Sequence, residues 1–113
     1  MKIVEKISVS ALNEMKAKMT EPLVKAVVDV ALGLLAVDAG LHSDEELLLL
    51  ENGSEQADLW GINLWPEFYG TDGFIEFDSM INIKPTQNNR SRGVEDQNIQ
   101  AKINKIISDK VHE

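Results

Sequence analysis

The feature that most constrains the fold is a β-hairpin pattern that occurs once in each half of the chain. In the first half, Leu23 to Val30 is rich in β-branched residues, and Leu34 to Asp38 is a second short apolar run. The first run alternates between two faces, with Val24, Ala26, Val28 and Val30 on one and Lys25 and Asp29 on the other. Gly33 lies between the two runs. This arrangement predicts two antiparallel strands joined by a tight turn.

The second hairpin pattern spans Leu59 to Trp65 and Phe74 to Ile83. The loop between these segments, Pro66 to Gly73, contains one proline and two glycines. In the later segment one face carries Ile75, Phe77, Ser79, Ile81 and Ile83, and the other carries Phe74, Glu76, Asp78, Met80, Asn82 and Lys84. The alternation predicts a half-buried antiparallel strand, and Pro85 ends it.

Helical patterns lie near both ends of the chain. Ser8 and Ser10 are candidate N-caps for a first helix at about residues 10–19, which ends before Pro22. Asp96 is the candidate N-cap of a last helix. The apolar face of that helix consists of Ile99, Ile103 and Ile106, with Ile107 beside it.

The middle of the chain contains a third helical pattern. Ser43 to Glu46 has the form of a capping box, in which a serine and a glutamate satisfy each other's backbone amides. This predicts a helix over residues 43–51. The four leucines from Leu47 to Leu50 also fit a strand, and periodicity does not separate the two alternatives over so short a run.

Together these elements predict an α+β fold with the order α-β-β-α-β-β-α. Two hairpins combine most simply into a four-stranded antiparallel sheet, and three helices then cover one face of that sheet. The length of 113 residues predicts a single domain covering residues 1–113.

Charge is distributed unevenly along the chain. Residues 26–83 contain twelve acidic residues and no lysine or arginine, whereas basic residues outnumber acidic ones in both flanking segments. The net charge is −8. Nucleic-acid binding depends on a basic surface, so a nucleic-acid partner is not expected.

Cysteine usage and hydropathy indicate the compartment. The chain has no cysteine, which fits a small domain in a reducing environment. The first ten residues lack the apolar stretch of a signal peptide, and no apolar run approaches the roughly 20 residues of a membrane-spanning helix. The sequence therefore predicts a cytoplasmic protein without a membrane segment.

Several motifs resemble a small family of uncharacterised prokaryotic proteins. They are Asp58–Leu64 with the sequence LWGINL at its end, Ile75–Pro85 with the sequence IEFDSMINIKP, and Asn89-Arg90-Ser91, together with Leu41-His42, Asp44 and Glu51–Ser54. The resemblance runs from about Val24 to the last helix. It implies no activity and no catalytic residue, because the family has no assigned function.

The first candidate site is the loop at residues 88–93, Asn-Asn-Arg-Ser-Arg-Gly. Arginine presents a planar set of donors that suits phosphate or carboxylate, and a loop that leads into a helix offers free backbone amides. Asn89, Arg90, Ser91 and Arg92 are therefore candidate anion-binding residues. The alternative is that Arg90 and Arg92 form ion pairs with acidic residues such as Glu76 or Asp78.

The second candidate site is the polar face of the later strand. Glu76 and Asp78 lie two residues apart and point the same way on a strand, and Asn63 joins them if the strands pair in the simplest register. Paired carboxylates hold divalent cations or divide acid and base roles. The alternative is the ordinary exposed face of a sheet.

Two weaker candidates complete the set. His42 and Asp44 are weak candidates for metal ligands, and a histidine and a helix-capping acid in a turn is the favoured explanation of this pair. A cluster of aromatic residues fits either a core or a ligand groove and partner surface, and it consists of Trp60, Trp65, Phe68 and Tyr69. No P-loop pattern is present, and the sequence leaves the identity of any cofactor unknown.

These residues favour a non-catalytic binding or interaction module. Its partner would be a small anionic ligand or another protein, bound through the loop at residues 88–93 and the adjacent sheet face, and the protein could also form a homo-oligomer. The alternative is a small metal-assisted hydrolase of a phosphate-containing substrate. In that enzyme Glu76 and Asp78 would hold the metal, and Arg90 and Arg92 would hold the phosphate.

Overall fold

The computed structural model describes all residues from 1 to 113. In chain order the strands are β1 (Lys2–Ile3), β2 (Ile7–Ser8), β3 (Val24–Asp29), β4 (Leu34–Val37), β5 (Leu59–Leu64), β6 (Ile75–Glu76) and β7 (Val111–His112). The helices are α1 (Val9–Lys16), α2 (His42–Glu51) and α3 (Gln97–Lys110). None of the three has the length and apolar character needed to cross a membrane. The α+β class and the three helices are confirmed.

The main sheet is antiparallel and has five strands in the order β1-β4-β3-β5-β6. The prediction of four strands was wrong because the N-terminal segment adds β1 to the edge of β4, with Lys2 opposite Val37. A strand of two residues is too short to show alternation in the sequence. The remaining strands, β2 and β7, pair in parallel as a separate two-stranded sheet.

Helices cover both faces of the main sheet, and the expectation that they cover one face was wrong. Alternate residues of β3 divide between two cores. Val24, Ala26 and Val28 pack with buried residues of α1 and α3, whereas Val27 packs with Leu49 of α2. Of the four consecutive leucines of α2 only Leu49 is fully buried, and so short a run does not reveal which face of the sheet the helix covers.

The later strand of the second hairpin is much shorter than predicted. Pairing with β5 stops at Glu76, and the chain then enters a 3₁₀ turn at Met80–Asn82. Beyond this point the side chain of Asn82 forms the hydrogen bonds to β5 that a neighbouring strand would otherwise form. Its Oδ1 accepts from Gly61 N at 2.8 Å, and its Nδ2 donates to Gly61 O at 2.9 Å. Alternation alone does not distinguish a strand from a segment held by side-chain amides.

The start of α2 also differs from the prediction. The helix is confirmed, but it begins at His42, and Leu41 precedes it without a side-chain cap, so the capping box was wrong. Glu45, inside the predicted capping box, is fully buried, and its Oε2 accepts a hydrogen bond from Ala39 N at 3.2 Å. Burial raises the pKa of Glu45 to about 9, so this carboxyl group is protonated at neutral pH.

Ser8 and Asp96 are confirmed as caps, whereas Ser10 lies inside α1, which ends at Lys16 and not at about residue 19, so these parts of the prediction were wrong. Ser8 Oγ accepts from Ala11 N at the start of α1, and Asp96 Oδ1 accepts from Asn98 N at the start of α3. Along α3, Ile103 and Ile107 are buried in the core, and Ile99 and Ile106 pack against it, as the apolar face predicted.

Replacing Gly61 with alanine should destabilise the protein. An added Cβ would lie 2.5 Å from Ser79 Cβ, in a segment that cannot move without breaking the Asn82 hydrogen bonds. We expect a loss of about 1–3 kcal/mol in the free energy of unfolding, measured by urea denaturation. Gly40→Ala is the matched control, because Gly40 has open space around it and no positive φ. Equal stability of the two variants would contradict the proposed steric conflict.

Candidate functional site

A polar cleft of about 440 Å³ lies on the α2 side of the main sheet. Five different parts of the chain contribute polar side chains to it, namely Lys25, His42, Asn63, Glu76, Asp78 and Arg92. The cleft therefore combines the polar strand face with one arginine of the 88–93 loop and with the histidine candidate. Carboxylate, amide and cationic side chains thus face the same space.

The register of the sheet positions half of these groups. Lys25 pairs with Asn63 across β3 and β5, and Asn63 pairs with Glu76 across β5 and β6. Directly opposed residues on neighbouring antiparallel strands have side chains on the same face, about 4.5–5.5 Å apart at Cβ. The three side chains therefore form a row across the sheet. The predicted neighbourhood of Asn63 and Glu76 corresponds to the observed register.

Asn63 is the central side chain of the row and is only 6% exposed. Its Nδ2 donates to Glu76 Oε1 at 2.8 Å and to Asp78 O at 3.3 Å. Both partners only accept hydrogen bonds, so the orientation of the amide is determined. Its Oδ1 is consequently turned the other way, where it is buried and has no hydrogen-bond partner.

His42 lies at the first position of α2 and contacts β5. Its Nε2 is 2.8 Å from Ile62 O, which can only accept, so Nε2 carries a proton. Burial lowers the pKa of His42, and the charge of Lys25 lowers it further. The hydrogen bond to Ile62 is the second-largest effect and raises the pKa, and the charge of Asp78 and the nearby side chain of Asn63 raise it to a smaller extent. The imidazole is therefore neutral at pH 7.

Arg92 enters the cleft through an ion pair. Its Nε lies 2.7 Å from Asp78 Oδ1, and both side chains are about half exposed. The backbone of Arg92 is anchored as well, because its carbonyl oxygen accepts from Ser79 N and from Asn82 Nδ2 at 2.9 Å each. The pair uses Nε of the guanidinium, which leaves the terminal amino groups available to another anion.

The rest of the 88–93 loop lies outside the cleft. Asn89 is buried, and its Nδ2 donates to the carbonyl oxygens of Asn82, Ser91 and Gly93. Its Oδ1 accepts from Glu95 N at 2.8 Å. All hydrogen-bonding atoms of the Asn89 side chain are thus used by the chain's own backbone, which gives this residue a structural role.

The backbone amides of the loop already hold an anionic group. Arg90 N and Ser91 N donate to Glu95 Oε2 at 2.8 and 3.0 Å, and Ser91 Oγ lies 3.1 Å from the same atom. The hydrogen bonds from the two amides and the hydroxyl lower the pKa of Glu95. The pattern that predicts an anion site is therefore satisfied here by the carboxylate of Glu95.

The structure separates the two metal-ligand candidates. His42 lines the cleft, but Asp44 does not, because residues two positions apart on a helix do not face each other. No group of three or more histidine, aspartate, glutamate or cysteine side chains is close enough together to hold a metal ion.

The model of a protein family of unknown function, DUF5674, matches residues 1–110. The chain belongs to this family. The resemblance to an uncharacterised family is therefore confirmed. No curated protein and no solved structure matches the chain. The family assigns no function, so the chemistry of this DUF5674 chain has to be inferred from the cleft.

Lys25 and Trp65 of this DUF5674 chain also line the cleft, and the sequence identified Trp65 as part of the aromatic cluster but did not identify Lys25 as a site residue. The hairpin pattern placed Lys25 on the polar face of β3, which is the signal that could have identified it. Trp60 is in the core, whereas Trp65 is only partly buried, and its Nε1 donates to Glu76 Oε1 at 3.3 Å. The aromatic cluster is thus divided between core and cleft.

The environment of His42 predicts a titration that two substitutions shift in opposite directions. NMR titration should give a His42 pKa below 6.5. Lys25→Gln should raise that pKa, because it removes a nearby positive charge, and Asp78→Asn should lower it, because it removes a negative one. Shifts in the same direction for both variants would contradict this arrangement of charges around the imidazole.

Proposed function

We propose that the protein binds a small anionic ligand, without catalysing its conversion, in the cleft beside Asn63. The observation that supports this most directly is the unpartnered Oδ1 of Asn63, a buried atom whose side chain lines the cleft. A buried acceptor without a partner costs about 1–3 kcal/mol, so such atoms are uncommon unless a ligand or an ordered water satisfies them.

Asn63 Oδ1 requires a donor, which gives the first property of the ligand. Because Glu76 and Asp78 hold the amide nitrogen, the amide cannot turn over to satisfy its oxygen from within the protein. Neutral His42 has its one N–H on the bond to Ile62, so it does not supply the donor at pH 7. An N–H or O–H group of the ligand would complete this hydrogen bond.

The anionic group of the ligand would bind to Arg92 and Lys25. Arg92 has free terminal amino groups, and Lys25 lies at the end of the same row of side chains, where its Nζ donates to Gly40 O at 3.0 Å. This proposal keeps Arg92 as an anion-binding residue. It does not require Arg90 and Ser91, because the amides of these residues bind Glu95.

The test compares two arginines of one loop. Glycolate, which has a carboxylate and a hydroxyl donor, should shift the NMR signals of the Asn63 side-chain amide and the Trp65 indole, and acetate should bind more weakly because it lacks the donor. Arg92→Ala should weaken glycolate binding by roughly ten- to a hundredfold, since it removes a charge-assisted hydrogen bond.

Arg90→Ala is the matched control and should bind glycolate like the wild type, because Arg90 does not line the cleft. Equal losses in both variants would contradict the proposal and support the whole 88–93 loop as the anion site. Absence of any shift at Asn63 would favour a protein partner instead of a small ligand.

A metal-assisted hydrolase is the second proposal, and the shared cleft of Glu76, Asp78 and Arg92 favours it. A cation there would have two carboxylates and would take its other ligands from water and substrate. Manganese should then broaden the NMR signals around Glu76 and Asp78, and the protein should hydrolyse p-nitrophenyl phosphate in a way that Glu76→Gln abolishes. Without both results this proposal fails.

We also propose that the ligand is a metabolite of the cytoplasm. A small domain that folds without disulfides is suited to the reducing conditions of that compartment.

A further inference from the structure

A second cavity, of about 400 Å³, adjoins the polar cleft. Trp65 and Glu76 line both spaces, and Phe68 and Ile75 complete the apolar part of the second one. The rings of Trp65 and Phe68 lie 6.3 Å apart at 51° to each other. Phe68 is 45% exposed, although it is a large apolar side chain. We call Trp65, Phe68 and Ile75 the aromatic shelf.

The charges around the cleft are mixed in sign. Its lining includes three carboxylates, of Glu21, Glu76 and Asp78, and two cations, of Lys25 and Arg92. A ligand with several negative charges, such as a phosphate ester, would be repelled by three carboxylates. A zwitterion matches both signs, since its positive group can face a carboxylate while its negative group faces a cation.

The two signs lie close enough together for a compact zwitterion. Asp78 connects them, because its carbonyl oxygen accepts from Asn63 Nδ2 at 3.3 Å and its carboxylate binds Arg92 Nε at 2.7 Å. The acceptor Asn63 and the cation Arg92 are therefore both in contact with one residue. Both hydrogen bonds of Glu76 use Oε1, so Oε2 remains available to a positive group at the border between cleft and shelf.

We propose that the ligand is a free α-amino acid with an aromatic or large aliphatic side chain. This inference rests on the proposed function and specifies its anionic group as the carboxylate of a zwitterion. The ammonium group donates to Asn63 Oδ1 and to the free oxygen of Glu76. The carboxylate binds the terminal amino groups of Arg92, and the side chain packs on the aromatic shelf.

A panel of compounds that lack one group each tests the three contacts. L-Phenylalanine should bind about tenfold or more tightly than glycine, 3-phenylpropionate and phenethylamine, which lack the side chain, the ammonium group and the carboxylate respectively. Isothermal titration calorimetry gives the affinities, and NMR shifts at Asn63 and Trp65 locate the binding.

Phe68→Ala isolates the shelf, because Phe68 is exposed and its loss should not affect folding. This variant should bind L-phenylalanine about fivefold or more weakly and glycolate unchanged. Leu32→Ala removes an apolar side chain of greater exposure, 59%, in the turn between β3 and β4, and should leave both affinities unchanged.

The outcomes separate this inference from the proposed function. Glycolate binding at Asn63 without a preference for L-phenylalanine would overturn the amino-acid assignment and leave the anion site intact. Failure of both compounds to shift Asn63 would overturn both proposals. Equal binding of L-phenylalaninamide would show that the carboxylate is not recognised and would favour a peptide N-terminus. Tighter binding of adenosine monophosphate would overturn the assignment in favour of a nucleotide.

Discussion

The hydrogen bonds between the Asn82 side chain and the backbone of Gly61 are the interaction on which the second half of the structure depends. The two residues exchange bonds as paired strands do, but one partner is a side-chain amide. The same amide holds the carbonyl oxygen of Arg92. A single buried asparagine thus fixes the point where the sheet stops and the position of the arginine relative to β5. The polar cleft follows from this arrangement, since Asp78 and Arg92 approach Asn63 only because the chain leaves the sheet after Glu76.

The loop at residues 88–93 and the cleft next to it differ in how many of their hydrogen-bonding groups have partners within the chain. In the loop the backbone amides of Arg90 and Ser91 already bind Glu95, and the Asn89 side chain is bound to backbone carbonyls. In the cleft, Asn63 has a determined orientation and an unsatisfied oxygen. The loop has the residue types of an anion site. The unsatisfied buried acceptor lies in the cleft, however, so the cleft is the better candidate for a ligand site. Where an acidic residue follows a basic loop closely in the sequence, its carboxylate can bind the groups that the loop would otherwise offer to an external anion.

Sequence patterns predicted the elements that depend on repetition. The hairpin β3–β4, the helix α3 with its Asp96 cap and the α+β class follow from alternation, helical spacing and capping preferences. Contacts between distant single residues could not be predicted in this way. β1 is two residues long, the bonds of Asn82 to Gly61 span 21 positions, and α2 begins without the cap predicted at Ser43. For the site, Asn63 and Glu76 were identified from the expected register. Alternation placed Lys25 on the polar face of β3, but no local pattern specifies the pairing of β3 with β5 that brings it next to Asn63.

The burial of Glu45 couples folding to proton uptake. An unfolded chain releases this proton near pH 4.5, whereas the folded protein keeps it up to about pH 9. Over that interval the folded state binds one more proton than the unfolded state at this position, so the contribution of Glu45 to stability declines by about 1.4 kcal/mol for each unit of rising pH. Because Glu45 attaches α2 to Ala39, the helix that supplies His42 to the cleft is most firmly held on the acidic side of neutrality.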